Sequence, residues 1–480
     1  MLACVQHRRA RYNVAAVIVA LFAGAAGAPA RGSAQTTPPP LQIEGTMKLA
    51  PDHGPVGPSI TVAATGLTAG VPLTVVWTDV DGAWALGADG TTYLGRRFTP
   101  VNTVLATVTP DGNGAISAQV TAPTGFGDEH DVLLQRAGGV IVNKAAFNID
   151  MEVTGTPITI EARGIGFRAG NDSWDVLYDS LFTGWLSAVT THGNATAVIR
   201  ATGAPGVHVL GVMHGEFTFP YLNPQQNPYT GRPQWHVPFT VTPGDPILPP
   251  DPAAQSLTPD QVNARAAGTL TLSPSAGVVG STSMVTASGL PPDTDLAILW
   301  SSVRGNRVSG QGFGGTIDQI GTIHIAADGT VSSAIDVPDD LGGPHTLSLM
   351  NGDELVATGE YNITPSATPL SQDSGPSGTR VLVHLKGVGW TETANIYHID
   401  IDNVYTGYAC GFNSDGDVQV FLDMAGSPGW HFIDVYPGIY KGKEDSPNNF
   451  RIPQLTFAAD HPGEHLPAFH YAFQITPDHE

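Results

Sequence analysis

Apolar and polar positions alternate along much of the chain. Ile158, Ile160 and Ala162 fall on one side, with Thr159, Glu161 and Arg163 on the other. That period of two predicts a β-strand with one buried face. Val381, Val383 and Leu385 repeat the inward pattern, with Leu382, His384 and Lys386 outward. Leu73, Val75 and Trp77 form another inward face, as do Leu296, Ile298 and Trp300. Turn dipeptides punctuate these runs: Asp111-Gly112, Asn113-Gly114, Asp328-Gly329, Asn351-Gly352 and Asp415-Gly416. Such pairs supply the positive φ angles that hairpins need. No helical run of ten residues stands out beyond residue 34.

The pattern is duplicated at an offset of 223 residues. Residues 48–77 read KLAPDHGPVGPSITVAATGLTAGVPLTVVW, and residues 271–300 read TLSPSAGVVGSTSMVTASGLPPDTDLAILW. Gly164-Ile-Gly-Phe167 answers Gly387-Val-Gly-Trp390, and Gly203-Ala-Pro-Gly-Val-His208 answers Gly426-Ser-Pro-Gly-Trp-His431. The expected organisation is A (46–150), B (151–243), A′ (268–365) and B′ (366–480). A Pro-rich linker, 244–267, joins the halves, and a Pro-rich leader, 35–45, precedes A. The fold class expected is all-β: four tandem immunoglobulin-like antiparallel sandwiches.

Composition narrows the functions. The 480 residues carry 21 Lys+Arg against 43 Asp+Glu, a formal charge of −22. Nucleic acid and anionic membrane surfaces are unsuitable partners for such a chain. Residues 1–34 read as a secretory signal: Arg8, Arg9 and Arg11, then an apolar run from Val14 to Gly27, then small-residue cleavage sites after Ala30 and Ala34. No later segment is apolar enough to span a membrane, so the expected location is secreted, periplasmic or cell-surface. Past the signal, Cys410 is the single cysteine. It is read as a buried thiol or an intermolecular link.

The opening G-x-x-x-x-V-x-A-x-G-L (Gly57 to Leu67, with its counterpart Gly280 to Leu290), the Trp on the next strand and the late P-G-x-H resemble bacterial immunoglobulin-like modules of the IPT/TIG-like kind. The resemblance spans about 400 residues at the level of pattern. It implies a tandem β-sandwich surface or secreted protein. A fold of this kind hosts many functions.

Candidate chemistry is sparse. A histidine opens the penultimate strand of each unit: His130, His208, His345 and His431. The structural role expected is a corner, with the imidazole bonding back to a loop carbonyl. His461-Pro-Gly-Glu464-His465 matches the H-x-x-E-H string of inverted zinc peptidases, but Pro462 and Gly463 oppose the helix that string requires. A looser Zn or Ca site at His461 and His465 with a carboxylate of Glu464 or Asp460 is the remaining metal reading. No cofactor is otherwise implied. Asp400/Asp402 and Asp415/Asp417 read as turn acids.

The aromatic distribution is uneven. B and B′ hold five of eight Trp and nine of twelve Tyr. Both also carry long excursions before their last strand, 213–234 and 436–469. Tyr and Trp beside Asn and Gln suit sugar rings or protein partners. The candidate ligand-binding residues are therefore Phe217, Tyr221, Tyr229 and Trp235 in B, and Tyr436, Tyr440 and Phe450 in B′. The opposing reading is that these aromatics plug the sandwich ends. The leading expectation is a non-catalytic adhesion-type protein recognising polysaccharide, cell-envelope material or protein. The alternatives are a metal-assisted hydrolase on the B′ loop and a structural spacer or surface-layer component.

Overall fold

The computed structural model describes residues 41–477, save 89–91, 155–158, 169–170, 173, 217–218, 221, 224, 226–233, 258–269, 307–311, 440–452 and 464–465. The proposed signal and most of the leader fall outside these residues, as does the C-terminal part of the linker. The described chain is all-β, built from tandem immunoglobulin-like sandwiches. Three-stranded sheets alternate with five-stranded ones along the sequence. In A, Thr46–Ala50, Ser59–Thr65 and Ile116–Thr121 oppose a sheet containing Leu73–Leu86, Tyr93–Val108, Asp128–Gln135 and Ile141–Ile149. A′ repeats this with Thr282–Ala287 and Val331–Asp336 facing Asp295–Asn306, Gly312–His324, Gly343–Asn351 and Glu354–Ile363.

The cores are the alternating faces of the sequence. Val75 and Trp77 are fully buried with Ile60 and Val62 opposite, and Leu296 and Trp300 sit likewise against Val285. In B′, Val381, Val383 and Leu385 meet Tyr397, Ile399, Ile433 and Phe473. Each large side chain so buried contributes roughly 1.5–3 kcal/mol.

The four histidines are corners, as their position suggested. In each, Nε2 lies 2.7–3.0 Å from the carbonyl oxygen four residues earlier: Phe126, Ala204, Leu341 and Ser427. The other ring nitrogen distinguishes the two unit types. In A and A′ it faces the carbonyl of Thr78 or Ser301. In B and B′ it meets the carboxylate of Asp179 or Asp402, each at 2.6 Å. A and A′ add a stacked tryptophan, Trp77 on His130 and Trp300 on His345, each at 4.7 Å. A carboxylate completes each group, from a different position in the chain. Asp79 supplies it in A, 3.7 Å from His130. In A′ the same position is Ser302, which donates to Asp340 at 2.8 Å.

Glycines set the joints within each half. Gly127 N donates to Ile165 O, and Gly342 N to Val388 O. A Cβ on Gly127 or Gly342 would strike the carbonyl of Gly164 or Gly387. The repeated G-x-G motifs are therefore the packing surfaces between A and B and between A′ and B′.

Strands Trp174–Tyr178 and Ile396–Ile401 differ from the rest. Nearly every residue in them is buried, on both faces. Their outer faces are covered by other parts of the chain, and that cover forms the site described next.

Candidate functional site

The Leu181–Leu186 strand lies at the edge of the five-stranded sheet of B. An open edge is a row of unpaired backbone groups. Here the B′ excursion covers it. Trp185 N donates to Pro453 O at 2.9 Å, and Leu455 N donates to Trp185 O at 3.0 Å. Gln454 Nε2 donates to Ser187 Oγ at 2.8 Å, and Thr456 Oγ1 accepts from Ser187 N at 3.1 Å. Asp460 closes the clamp. Its buried carboxylate accepts from Val189 N (2.8 Å), Thr190 N (2.9 Å), Thr190 Oγ1 (2.8 Å) and Trp84 Nε1 of A (2.9 Å). Leu455 enters the core of B beside Leu186.

A small apolar cluster lies alongside. Tyr93 of A, Trp185 of B and Ile439 of B′ are fully buried in it, with Trp84, Leu86, Phe182 and Tyr405 packed around them. The long Leu73–Leu86 and Tyr93–Val108 hairpin thus delivers its end between B and B′. Tyr93 N donates to Glu392 at 2.8 Å.

Beneath the clamp, the outer face of the B′ sheet is polar and buried. Register places Asp400 opposite Asp434, His398 opposite Tyr436, and Asp434 opposite His470. Asp434 is held from two sides, with Arg200 Nε of B at 3.0 Å and His470 Nδ1 at 2.6 Å. Arg200 also lies over the Phe432 ring at 4.9 Å, and its backbone exchanges two bonds with the Asn403 side chain. Asp400 is fully buried and neither carboxylate oxygen has a partner. Burial, then the Asp434 charge, pushes its carboxyl well above the usual range. The His398 ring fits because Gly438 lacks the Cβ that would occupy its space. Burial, reinforced by nearby His461, lowers the pKa of His398 to about 3. Burial lowers that of His461 to about 4. Asp175 stands at the 223-residue counterpart of His398. It is also buried with its carboxylate unpartnered, beside Gly215.

The structure places the candidate residues as follows. Tyr436 is buried against the B core, 5.9 Å from the Phe457 ring. Trp235 is half-buried on the Trp235–Val241 strand, 5.4 Å from the Trp174 ring. His461 is half-buried, with Gly463 N donating to its Nδ1 at 2.9 Å. Phe217, Tyr221, Tyr229, Tyr440, Phe450, Glu464 and His465 lie outside the described residues. Among the described residues, no group of three or more His, Cys, Asp and Glu is arranged to hold a metal ion. Cys410 is a free, half-buried thiol.

The sequence pattern groups Asp400 with Asp402 as turn acids. Asp402 and Asn403 do form the turn, with φ of 51° and 63°. Asp400 is instead a strand residue facing Asp434. The signal was available in IYHIDI, where His and Asp occupy the face opposite Tyr397 and Ile399. A polar face that alternates with core residues reads as exposed until its cover is known.

No protein-family model and no curated protein matches the chain. Solved structures align weakly. The Salmonella alpha-2-macroglobulin is 12% identical, over 91% of this chain and 31% of its own length, with a TM-score of 0.18. Invasin, a bacterial integrin-binding protein, is 13% identical, over 90% of this chain and 79% of its own, with a TM-score of 0.18. The BSP domain of a biofilm associated protein is 10% identical, over 86% and 97%, with a TM-score of 0.13. Superposition at this level carries no functional argument. No described helix is long and apolar enough to cross a membrane.

Proposed function

We propose that the chain is a non-catalytic, adhesion-type binding protein acting outside the cytoplasm, an IPT/TIG-like tandem array that holds its binding surfaces in fixed relation. The observation that supports this most is the Asp460 clamp. One carboxylate takes hydrogen bonds from both A and B while sitting on the excursion of B′. A stiff array loses less entropy on engaging an extended target than a flexible string of modules. Polysaccharide, cell-envelope material and extracellular protein are the target classes. The B excursion, with Tyr221 and Tyr229, is the recognition element on this reading. The described part of the B′ excursion, residues 453–463, serves as a clamp.

Retention of the protein on purified cell walls, polysaccharides and extracellular matrix tests the proposal. A variant with residues 214–234 shortened is run alongside. Retention that falls in the shortened variant supports it. A folded protein retained on none of these materials overturns it in favour of a structural spacer.

A further inference from the structure

A cleft of about 440 Å³ opens between the start of the interhalf linker and the sandwich of B′. Its linker wall is fixed rather than loose. Asp251 caps the short helical turn Pro252–Gln255 by accepting from Ala253 N at 2.8 Å. Gln255 Nε2 then ties that turn down, donating to Pro250 O at 2.8 Å and to His470 O at 3.2 Å. The wall that results is apolar, with Leu248 and the rings of Pro249, Pro250 and Pro252. Leu370 and the half-exposed Trp430 face it from B′.

Polar groups converge on the same space. Asp251 and Asp373 line it, and so does His470, whose ring is held by Asp434. Tyr471 lines it too. The residue is 3% exposed, and its phenolic oxygen is buried with no hydrogen-bond partner. Burial, then the Asp251 carboxylate, pushes that phenol up, so the two groups lie within electrostatic reach. A buried hydroxyl left unpaired costs roughly 1–3 kcal/mol, which a ligand that bonds it recovers.

We infer that this cleft is a binding site for a neutral sugar residue, stacked on Trp430 with its hydroxyls turned to Asp251, Asp373 and Tyr471. A pyranose presents a flat C–H face and a polar rim, which matches an aromatic ring beside carboxylate acceptors and a hydroxyl. The volume suits one or two sugar units. Anionic glycans are opposed by the two carboxylates and by the chain's charge of −22. A cationic side chain would find the carboxylates but would leave the Tyr471 hydroxyl without an acceptor. The site rests on the reading of the chain as a binding protein. It does not depend on either excursion.

Titration calorimetry of the full protein with cellotriose, chitotriose, maltotriose and mannotriose, and with tetralysine, tests it. Binding of at least one trisaccharide is expected. Trp430→Ala should weaken it at least about tenfold, the size of a lost ring contact plus its buried area. Asp251→Asn and Tyr471→Phe should each weaken it several-fold with the melting temperature held. Three results overturn the site: no trisaccharide binds, Trp430→Ala folds and binds as before, or tetralysine binds more tightly than every sugar. Undiminished retention of Trp430→Ala on envelope material, with trisaccharide binding absent, removes the cleft and leaves the adhesion reading standing. Trisaccharide binding without retention on any surface does the reverse.

Discussion

Phe182 and Tyr405 hold the same position in the two halves, 223 residues apart, and their rings meet edge to face at 6.2 Å with planes 87° apart. Contact between equivalent residues is what self-complementary pairing produces. Around this pair the two halves diverge. B contributes Arg200 to the carboxylate of Asp434, while the counterpart of Arg200 in B′ is Asp423, bound to Arg380 on the surface. The two sides of this contact therefore carry different charges. A double-mutant cycle of Phe182→Ala and Tyr405→Ala in urea should give a coupling of about 0.5–1.5 kcal/mol. Additive losses would show that the rings are adjacent without supporting each other.

The Asp400–Asp434 pair makes stability depend on pH. The folded carboxyl of Asp400 is raised. Its contribution is therefore fully present below the ordinary carboxylate pKa and is lost as pH rises through the folded value. Asp400→Asn keeps the shape and removes the charge. It should stabilise the protein at pH 8 by about 1–3 kcal/mol, with the difference closing near pH 4. Asp434→Asn should do the opposite and cost about 1.5–3 kcal/mol, because Arg200 loses its counter-charge although the amide oxygen still accepts. Thermal melts at the two pH values separate these outcomes. A destabilised Asp400→Asn at pH 8 would mean that the carboxylate has a partner after all.

Two sets of histidines pull in opposite directions. His208 is raised by the Ala204 carbonyl and then by Asp179. In His431 burial opposes protonation, but the Ser427 carbonyl and Asp402 outweigh it, and the net shift is upward. Their contribution is complete below the unfolded histidine pKa and is lost as pH rises through the folded values. His398 and His461 are lowered, to about 3 and about 4. Their contribution is present above the unfolded pKa and disappears as pH falls from about 6.5 toward those values. Acidification should therefore loosen the clamp at residues 453–463 while the corners of B and B′ hold. Hydrogen exchange at pH 7 and pH 4.5 should show protection lost first at 184–190 and 453–463. His461→Gln should blunt that change.

The strands, the duplication and the four histidine corners could be read from the sequence because each has a local signature. Trp77 and Trp300 fall on an alternating face, and the corner histidines follow a Gly-containing turn. What could not be read is what lies over an outer face. Asp400, His398 and Asp175 occupy positions that alternate with core residues, and alternation alone assigns them to solvent. His398 and Asp400 share their face with Tyr436 and Asp434, which are met by Phe457 and by Arg200 from elsewhere in the chain. The same holds for Tyr436. Its aromatic ring looked available for a ligand, yet it packs on Phe457 and the core of B. Asp460 reads in the sequence as the alternative to Glu464 in a metal site, whereas its carboxylate takes four hydrogen bonds from A and B.

Asp460 makes the most concentrated prediction. Four donors from A and B converge on one buried carboxylate at the end of the clamp. Asp460→Ala leaves Val189 N and Thr190 N buried without their acceptor, and frees the Trp84 indole. Hydrogen bonds to a charged group are worth about 1.5–3 kcal/mol each, and they share one acceptor here, so the expected loss is about 3–5 kcal/mol. The damage should be local. The cores around Trp300 and around Tyr397 do not touch Asp460 and should keep their protection in hydrogen exchange. The amides of 185–190 and the segment 453–463 should lose theirs, and limited proteolysis should cut within the excursion. Asp460→Asn should fall between, since its amide oxygen still accepts from Val189 or Thr190. Unchanged protection at 185–190 in a folded Asp460→Ala protein would show that the apolar cluster of Tyr93, Trp185 and Ile439 holds the junction without the carboxylate.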